Sequence, residues 1–362
     1  MKKILFLLIL SMIVFSGCKK EEKYTIALIT DIGDIDDRSF NQGTWEGVQQ
    51  YAQEYGISHK YYKPTAKSTD AYVSAINLAI SNGAKIVVTP GYLFEEAVEI
   101  SQKAHPEVKF VLIDGNPANA TVESKQGTLE TNTYSILYAE EQVGFLAGYA
   151  AVKDGHTKLG FMGGMAVPAV IKYGQGFIFG ASAAAVEEDV DITIQYHYTG
   201  NFIASPEVQT TAATMYANGI TCIFAAGGAV GQSVMSAAEL SSNNGKVIGV
   251  DVDQSADSNT VITSATKGLG ISAYRALESF FGGDWEAEVG GKSVILDAAK
   301  DGVGLTMATS RFTTFNQAAY EELFADLVAE QFSIPYDIDK ANKENTLNAP
   351  KVSVTVVGGG TQ

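Results

Sequence analysis

Four aspartates, Asp31, Asp34, Asp36 and Asp37, crowd into one short stretch of this chain, and Phe40 and Asn41 follow at once. The stretch comes directly after an apolar run, and similar groups recur after other such runs. Gly91 and Tyr92 follow residues 85–90, and Asp114, Gly115 and Asn116 close the run at 109–114. In the second half, Gly163 and Gly164, then Gly200, Asn201 and Phe202, then Gly227 and Gly228, then Asp251, Val252, Asp253 and Gln254 occupy the same kind of place. Phe177 begins a helix-like stretch after the Gly163 loop, and Lys267 follows the strand-like 261–265. Glycines let backbone amides approach a ligand, carboxylates accept from hydroxyls, and aromatic faces stack on flat rings. Together these groups suit a neutral polyhydroxylated ligand carrying a planar ring. Singly, an Asp or Asn after a strand is a cap or turn residue, a Phe belongs to the core and a Lys to the surface. Recurrence in both halves is what capping alone leaves unexplained.

Other chemistry finds no support. Asp34-Ile35-Asp36-Asp37-Arg38 starts like a calcium loop, but Arg38 takes a ligand position and no glycine follows at the sixth. Gly291-Lys292-Ser293 lacks the first glycine of a phosphate loop, and Gly174-Gln175-Gly176 meets its third glycine one residue late for a dinucleotide fingerprint. His59, His105, His156 and His197 are scattered without ligand spacing. The residues therefore call for no metal, cofactor or catalytic group.

The elements that must position these groups alternate short β-branched runs with longer amphipathic stretches, as βαβ units do. Strands are expected at 24–30, 60–64, 85–90, 109–114, 158–163, 193–199, 221–226 and 246–251. Helices are expected at 42–55, 70–81, 95–104, 140–152, 176–187, 206–217 and 231–241, with further elements to 331. Two similar halves predict an α/β chain of two Rossmann-like doubly wound lobes. Ligands of such sheets sit outside the carboxyl ends of the strands, here in a cleft between the lobes. The expected boundaries are 24–132 with about 262–300 for the first lobe, and 133–261 with about 301–362 for the second.

The chain has 362 residues, 46% hydrophobic and 18% charged, with a net charge of −16. That composition excludes a disordered protein, and the charge argues against nucleic acid as a partner. Lys2 and Lys3, the apolar run 4–15 and Ser16-Gly17-Cys18 make a secretory signal at 1–17, too short to span a membrane. Cys directly after Ser-Gly is similar to the bacterial lipobox, which implies cleavage, acylation of Cys18 and a lipid-held protein with a tether at 18–23. Acyl chains such as palmitate anchor through their buried methylenes. Cys222, in an apolar run, is expected to be buried and inert.

The segments DIGDIDDRSFNQGTWEG (31–47), YAEEQVGFLAG (138–148), 160–180, IGVDVDQ (248–254) and TSATKG (263–268) resemble the basic membrane protein lipoproteins, substrate-binding receptors that include purine nucleoside receptors. The resemblance runs from the lipobox to Gly268. It implies a type I periplasmic-binding-protein fold that feeds an ABC importer through a membrane permease, with adenosine, guanosine or inosine in the cleft. On that pattern Phe40 stacks on the base, with Phe202, or else Phe177, as the opposing ring. Asn41 and Asp114 bond the base or sugar edge, with Asp31 nearby. Asp251 accepts ribose hydroxyls, Lys267 donates to the sugar, and Gly228 offers an amide. The family's Ser before this phenylalanine and its Asp shortly after are absent around Asn201-Phe202-Ile203-Ala204. A sugar or other small-solute receptor of the same fold is the alternative. A nucleoside hydrolase-like enzyme is a further one, although aligning its calcium motif on Gly33 puts Ile29 and Ile35 where aspartates are needed.

Overall fold

The computed structural model describes residues 23–357, so the signal segment and Cys18 lie outside the described residues. In chain order the first part runs β1 (Ile26–Ile29), α1 (Phe40–Tyr55), β2 (His59–Tyr62), α2 (Thr69–Ser81), β3 (Ile86–Pro90), α3 (Glu95–Ala104), β4 (Lys109–Ile113), a small hairpin of β5 (Thr121–Val122) and β6 (Lys125–Gln126), and β7 (Thr133–Tyr138). The second part runs α4 (Glu140–Lys153), β8 (Lys158–Gly163), α5 (Pro168–Glu187), β9 (Ile192–Tyr198), α6 (Pro206–Ala217), β10 (Cys222–Ala226), α7 (Val230–Glu239), β11 (Lys246–Asp251) and β12 (Val261–Lys267). Then come α8 (Leu269–Gly282), α9 (Trp285–Glu288), β13 (Ser293–Leu296), β14 (Val303–Leu305), α10 (Gln317–Val328) and β15 (Val352–Val356).

Two sheets form, in the orders β13-β7-β4-β3-β1-β2 and β14-β12-β11-β10-β8-β9-β15. Within each, five parallel strands follow the doubly wound order 2-1-3-4-5, which reverses between the first and third strands. Runs such as Ile26–Ile29 and Cys222–Ala226 are buried along their whole length, as strands covered by helices on both faces must be. The edge strand β14 is antiparallel to β12, whereas β13 runs parallel to β7.

Two boundaries differ from those expected. β7 pairs with β4 in the first sheet, from Phe110–Thr133 to Ile113–Ile136, so the first lobe extends through Tyr138 rather than ending at 132. β12 pairs with β11 in the second sheet, so the chain returns to the first lobe after Lys267, not at about 262. The chain crosses between lobes at Ala139, at Gly268 and again between β13 and β14. Helix α5 begins at Pro168, which suits a first helical position, rather than at Gly176. Its Gly176 and Gly180 lie against the Glu141 and Phe145 carbonyls of α4, while Gly144 and Gly148 of α4 lie against the Tyr173 and Phe177 carbonyls of α5. The paired glycines let the two helices touch through their backbones.

Candidate ligand-binding site

The carboxyl ends of both sheets face one cleft with about 620 Å³ of empty space, counting the part open to solvent. The cleft lies at the switch points of both sheets, lined by the loops after β1 and β3 from one lobe and after β8 and β10 from the other. Asp31, Phe40, Asn41, Asp114, Phe202, Gly228, Asp251 and Lys267 all line it. Phe177 does not. It is 0% exposed, more than two turns into α5, and packs in the core against Phe161 and Phe224. Tyr173, one turn earlier on the same helix, reaches the cleft instead. Sequence reasoning also passed over Leu93, Val167, Ala169 and Val170, and did not single out Asp37 or Tyr92 beyond their places after strands.

The acidic loop is held by its own hydrogen bonds. The Asp37 carboxylate accepts the backbone N–H groups of Ser39 (2.9 Å), Asn41 (3.0 Å) and Gln42 (3.1 Å), so it caps the start of α1 and sets Phe40 at the cleft. The Asn41 amide donates to Asp31 at 2.9 Å and to Asp37 at 3.0 Å, and its oxygen accepts the Asp31 N–H at 3.3 Å. Both Asn41 donors are thus used within the protein, and one acceptor lone pair remains for a ligand. Burial raises the Asp31 carboxyl to about 6, against the pull of Asn41 and the Gly33 amide.

Asp114 directly follows β4 and Asp251 ends β11, equivalent strands of the two sheets, and both have left-handed backbones, φ 56° and 67°. Asp tolerates this region better than most residues, and such strain gathers at functional sites. The turn aims each carboxylate at the cleft from its own lobe. Asp251 accepts from Ser39 Oγ across the cleft at 2.6 Å, with Tyr173 OH at 3.4 Å, and burial raises its pKa. The Lys267 ammonium is buried and pairs with Asp114 and with Glu140, the latter at 3.0 Å. The rings of Phe40, Tyr138 and Tyr173 lie 5.1–5.4 Å from it. Burial alone would lower the lysine, but Asp114, Glu140 and Asp251 outweigh it, and the group stays charged. Three carboxylates share this one ammonium, and burial pushes Asp114 up to about 7 in spite of it. Asp114 Oδ1 is buried without a hydrogen-bond partner among the described residues. It is an acceptor awaiting a donor.

The same loop ties the lobes together. Gln232 donates to the Asp37 carbonyl at 3.3 Å, Gln254 donates to the Arg38 carbonyl at 2.9 Å, and Arg38 pairs with Asp257 at 3.0 Å. Among the described residues no cluster of metal-ligating side chains occurs, and Cys222 is buried. The cleft offers rings, carboxylates and one ammonium, which is equipment for holding a polar ring-bearing solute.

Residues 23–339 match the family model for PnrA-like ABC transporter substrate-binding proteins. The ABC transporter nucleoside-binding protein BmpA of Lactococcus lactis subsp. cremoris is 28% identical over 358 residues, covering 90% of this chain and 95% of its own length. Basic membrane protein A1 of Borrelia garinii subsp. bavariensis is 28% identical over 359 residues, covering 95% of this chain and 99% of its own. Among solved structures, an ABC transporter solute-binding protein from Aeropyrum pernix K1 superposes with a TM-score of 0.73 at 22% identity, covering 88% of this chain and 95% of that one. Its likeness carries the fold, that of the type I periplasmic solute-binding proteins. With two doubly wound lobes, a cleft at both switch points and a family match across nearly all the described residues, this chain belongs to the PnrA-like (basic membrane protein) family of ABC transporter substrate-binding proteins, which are binding proteins and not enzymes.

Proposed function

We propose that this protein is a lipid-anchored receptor that captures purine nucleosides outside the cytoplasm and delivers them to an ABC permease. The observation that carries the reading is the composition of the cleft: Phe40 and Phe202, both half-buried, come from opposite lobes, and Asp114, Asp251 and Lys267 stand with them. Two rings suit a planar base, and carboxylates beside an ammonium suit ribose hydroxyls. The Lactococcus relative named as nucleoside-binding supports the same choice. Cys18, as the acylated first residue of the mature chain, would hold the receptor at the outer face of the membrane.

Calorimetric titration with adenosine, guanosine, inosine, cytidine and ribose tests the ligand. Purine nucleosides are expected to bind with micromolar or tighter affinity, about −8 kcal/mol or better. Heat from ribose alone would move the reading to a sugar receptor, and no heat from any purine nucleoside would end it. Within that experiment, Asp251→Ala is expected to weaken purine nucleoside binding more than tenfold, about 1.4 kcal/mol, without loss of the folded state. Unchanged affinity would remove Asp251 from the site.

A further inference from the structure

Glu140 lies outside the lining of the cleft, yet it is 3% exposed and holds the ammonium that faces the ligand space. It is the first residue of α4, one position after the crossing at Ala139. Lys267 is the last residue of β12, one position before the crossing at Gly268. Their ion pair therefore joins two of the three places where the chain passes between lobes. Glu140 is held from its other side by Lys172 of α5 at 3.6 Å, and Lys172 also approaches Glu141 at 3.7 Å. An ammonium carries three protons. Asp114 accepts one in a hydrogen bond, Glu140 faces the ammonium as an ion pair at 3.0 Å, no other acceptor hydrogen-bonds it among the described residues, and Asp114 Oδ1 is unpartnered beside it. One N–H and one carboxylate oxygen are thus presented side by side, a donor and an acceptor fit for a hydroxyl pair.

From this geometry we infer that Glu140 is a positioning residue: it fixes the Lys267 ammonium at the hinge so that its free N–H and the free Asp114 oxygen address the ligand together. Without Glu140 the ammonium would turn fully onto Asp114 and Asp251, which would consume the groups the ligand needs. The assignment of a nucleoside to the site rests on the functional reading above, whereas the role of Glu140 toward Lys267 does not.

The test joins a ligand-free readout to a binding cycle in the full-length protein. With ¹⁵N-lysine labelling, the Lys267 ammonium should give a slowly exchanging resonance near neutral pH, identified by its loss in Lys267→Met. Glu140→Gln should shift it or broaden it away, and Glu140→Asp should retain it. In titrations with adenosine, guanosine and inosine, Glu140→Gln should weaken binding at least tenfold, and Glu140→Asp should fall between it and the parent. In the Lys267→Met background Glu140→Gln should add less than twofold. An unmoved resonance in Glu140→Gln, or losses that simply add in the double variant, would overturn the proposal. If the parent binds no purine nucleoside, the functional reading fails, and the resonance alone decides on Glu140.

Discussion

The melting temperature of the ligand-free protein is expected to fall as pH rises from about 5 to about 7.5, the reverse of the trend for proteins whose carboxylates are ion-paired at the surface. The cause lies in the cleft. Burial raises Asp31 from 3.8 to about 6 and Asp114 from 3.8 to about 7, and it raises Asp37 and Asp251 as well. A carboxyl with a raised folded pKa holds its proton more tightly folded than unfolded. Its contribution is complete below 3.8, where both states are protonated, and drains away as pH climbs through the folded value. The window for the two largest shifts therefore runs from about 4 to about 7. Each unit of difference is worth about 1.4 kcal/mol. Lys267 adds no slope, because it stays charged throughout this range. His156, which burial lowers, acts in the opposite sense within this range, and Asp253 with the fully exposed Asp189, Glu207 and Glu286 does so only at lower pH. Thermal melts at pH 5, 6, 7 and 7.5 read the effect, and Asp31→Asn should flatten part of it. A melting temperature that holds level or rises to pH 7.5 would show that these carboxyls are not held as described.

Gly148→Ala should destabilise the protein by about 2–3 kcal/mol, and Gly148→Leu should leave little soluble protein. Helix propensity alone predicts the opposite sign, since alanine is favoured over glycine by about 1 kcal/mol inside a helix. What decides is the neighbour. A Cβ at Gly148 would fall on the Phe177 carbonyl oxygen, a backbone atom that cannot swing aside, and Gly144, Gly176 and Gly180 face carbonyls in the same way. The helices would have to separate. Because α4 begins with Glu140 and α5 carries Val170 and Tyr173 into the cleft, separation would also open one wall of the site. Urea unfolding of Gly148→Ala measures the change, and an alanine variant as stable as the parent would refute the close packing.

The parts of this molecule that local pattern could reveal are those where chemistry sits next to a strong signal. Asp31, Phe40, Asp114, Asp251 and Lys267 each follow or end an apolar run, and the rule that ligands meet the carboxyl ends of doubly wound strands sent attention there. Phe177 was chosen by the same adjacency, but the helix starts at Pro168, so two turns carry that ring down into the core. Tyr173 and Val170 were hidden for the same reason: they lie in the first turns of α5, ahead of the expected helix start at 176. β7 escaped because its alternation, Thr133 to Tyr138, runs into α4 with only Ala139 between, leaving no turn residues to mark its end. Its partner β4 lies on the far side of a loop and a hairpin, and pairing over that distance has no local signature. β15, which pairs with β9, lies still farther from its partner in sequence.

The placement of β13 bears on how the protein comes into being. This strand completes the first sheet beside β7, yet it is synthesised after every central strand of the second. Until residues 293–296 arrive, the outer edge of β7 stands bare, with its amides and carbonyls open to any other strand. Neither lobe is therefore a contiguous stretch that could mature while the rest of the chain is still being made or exported. A polypeptide ending at β12 would contain most of both sheets and still be sticky at one side. Nearly the whole chain must be present before the receptor can bury its own edges.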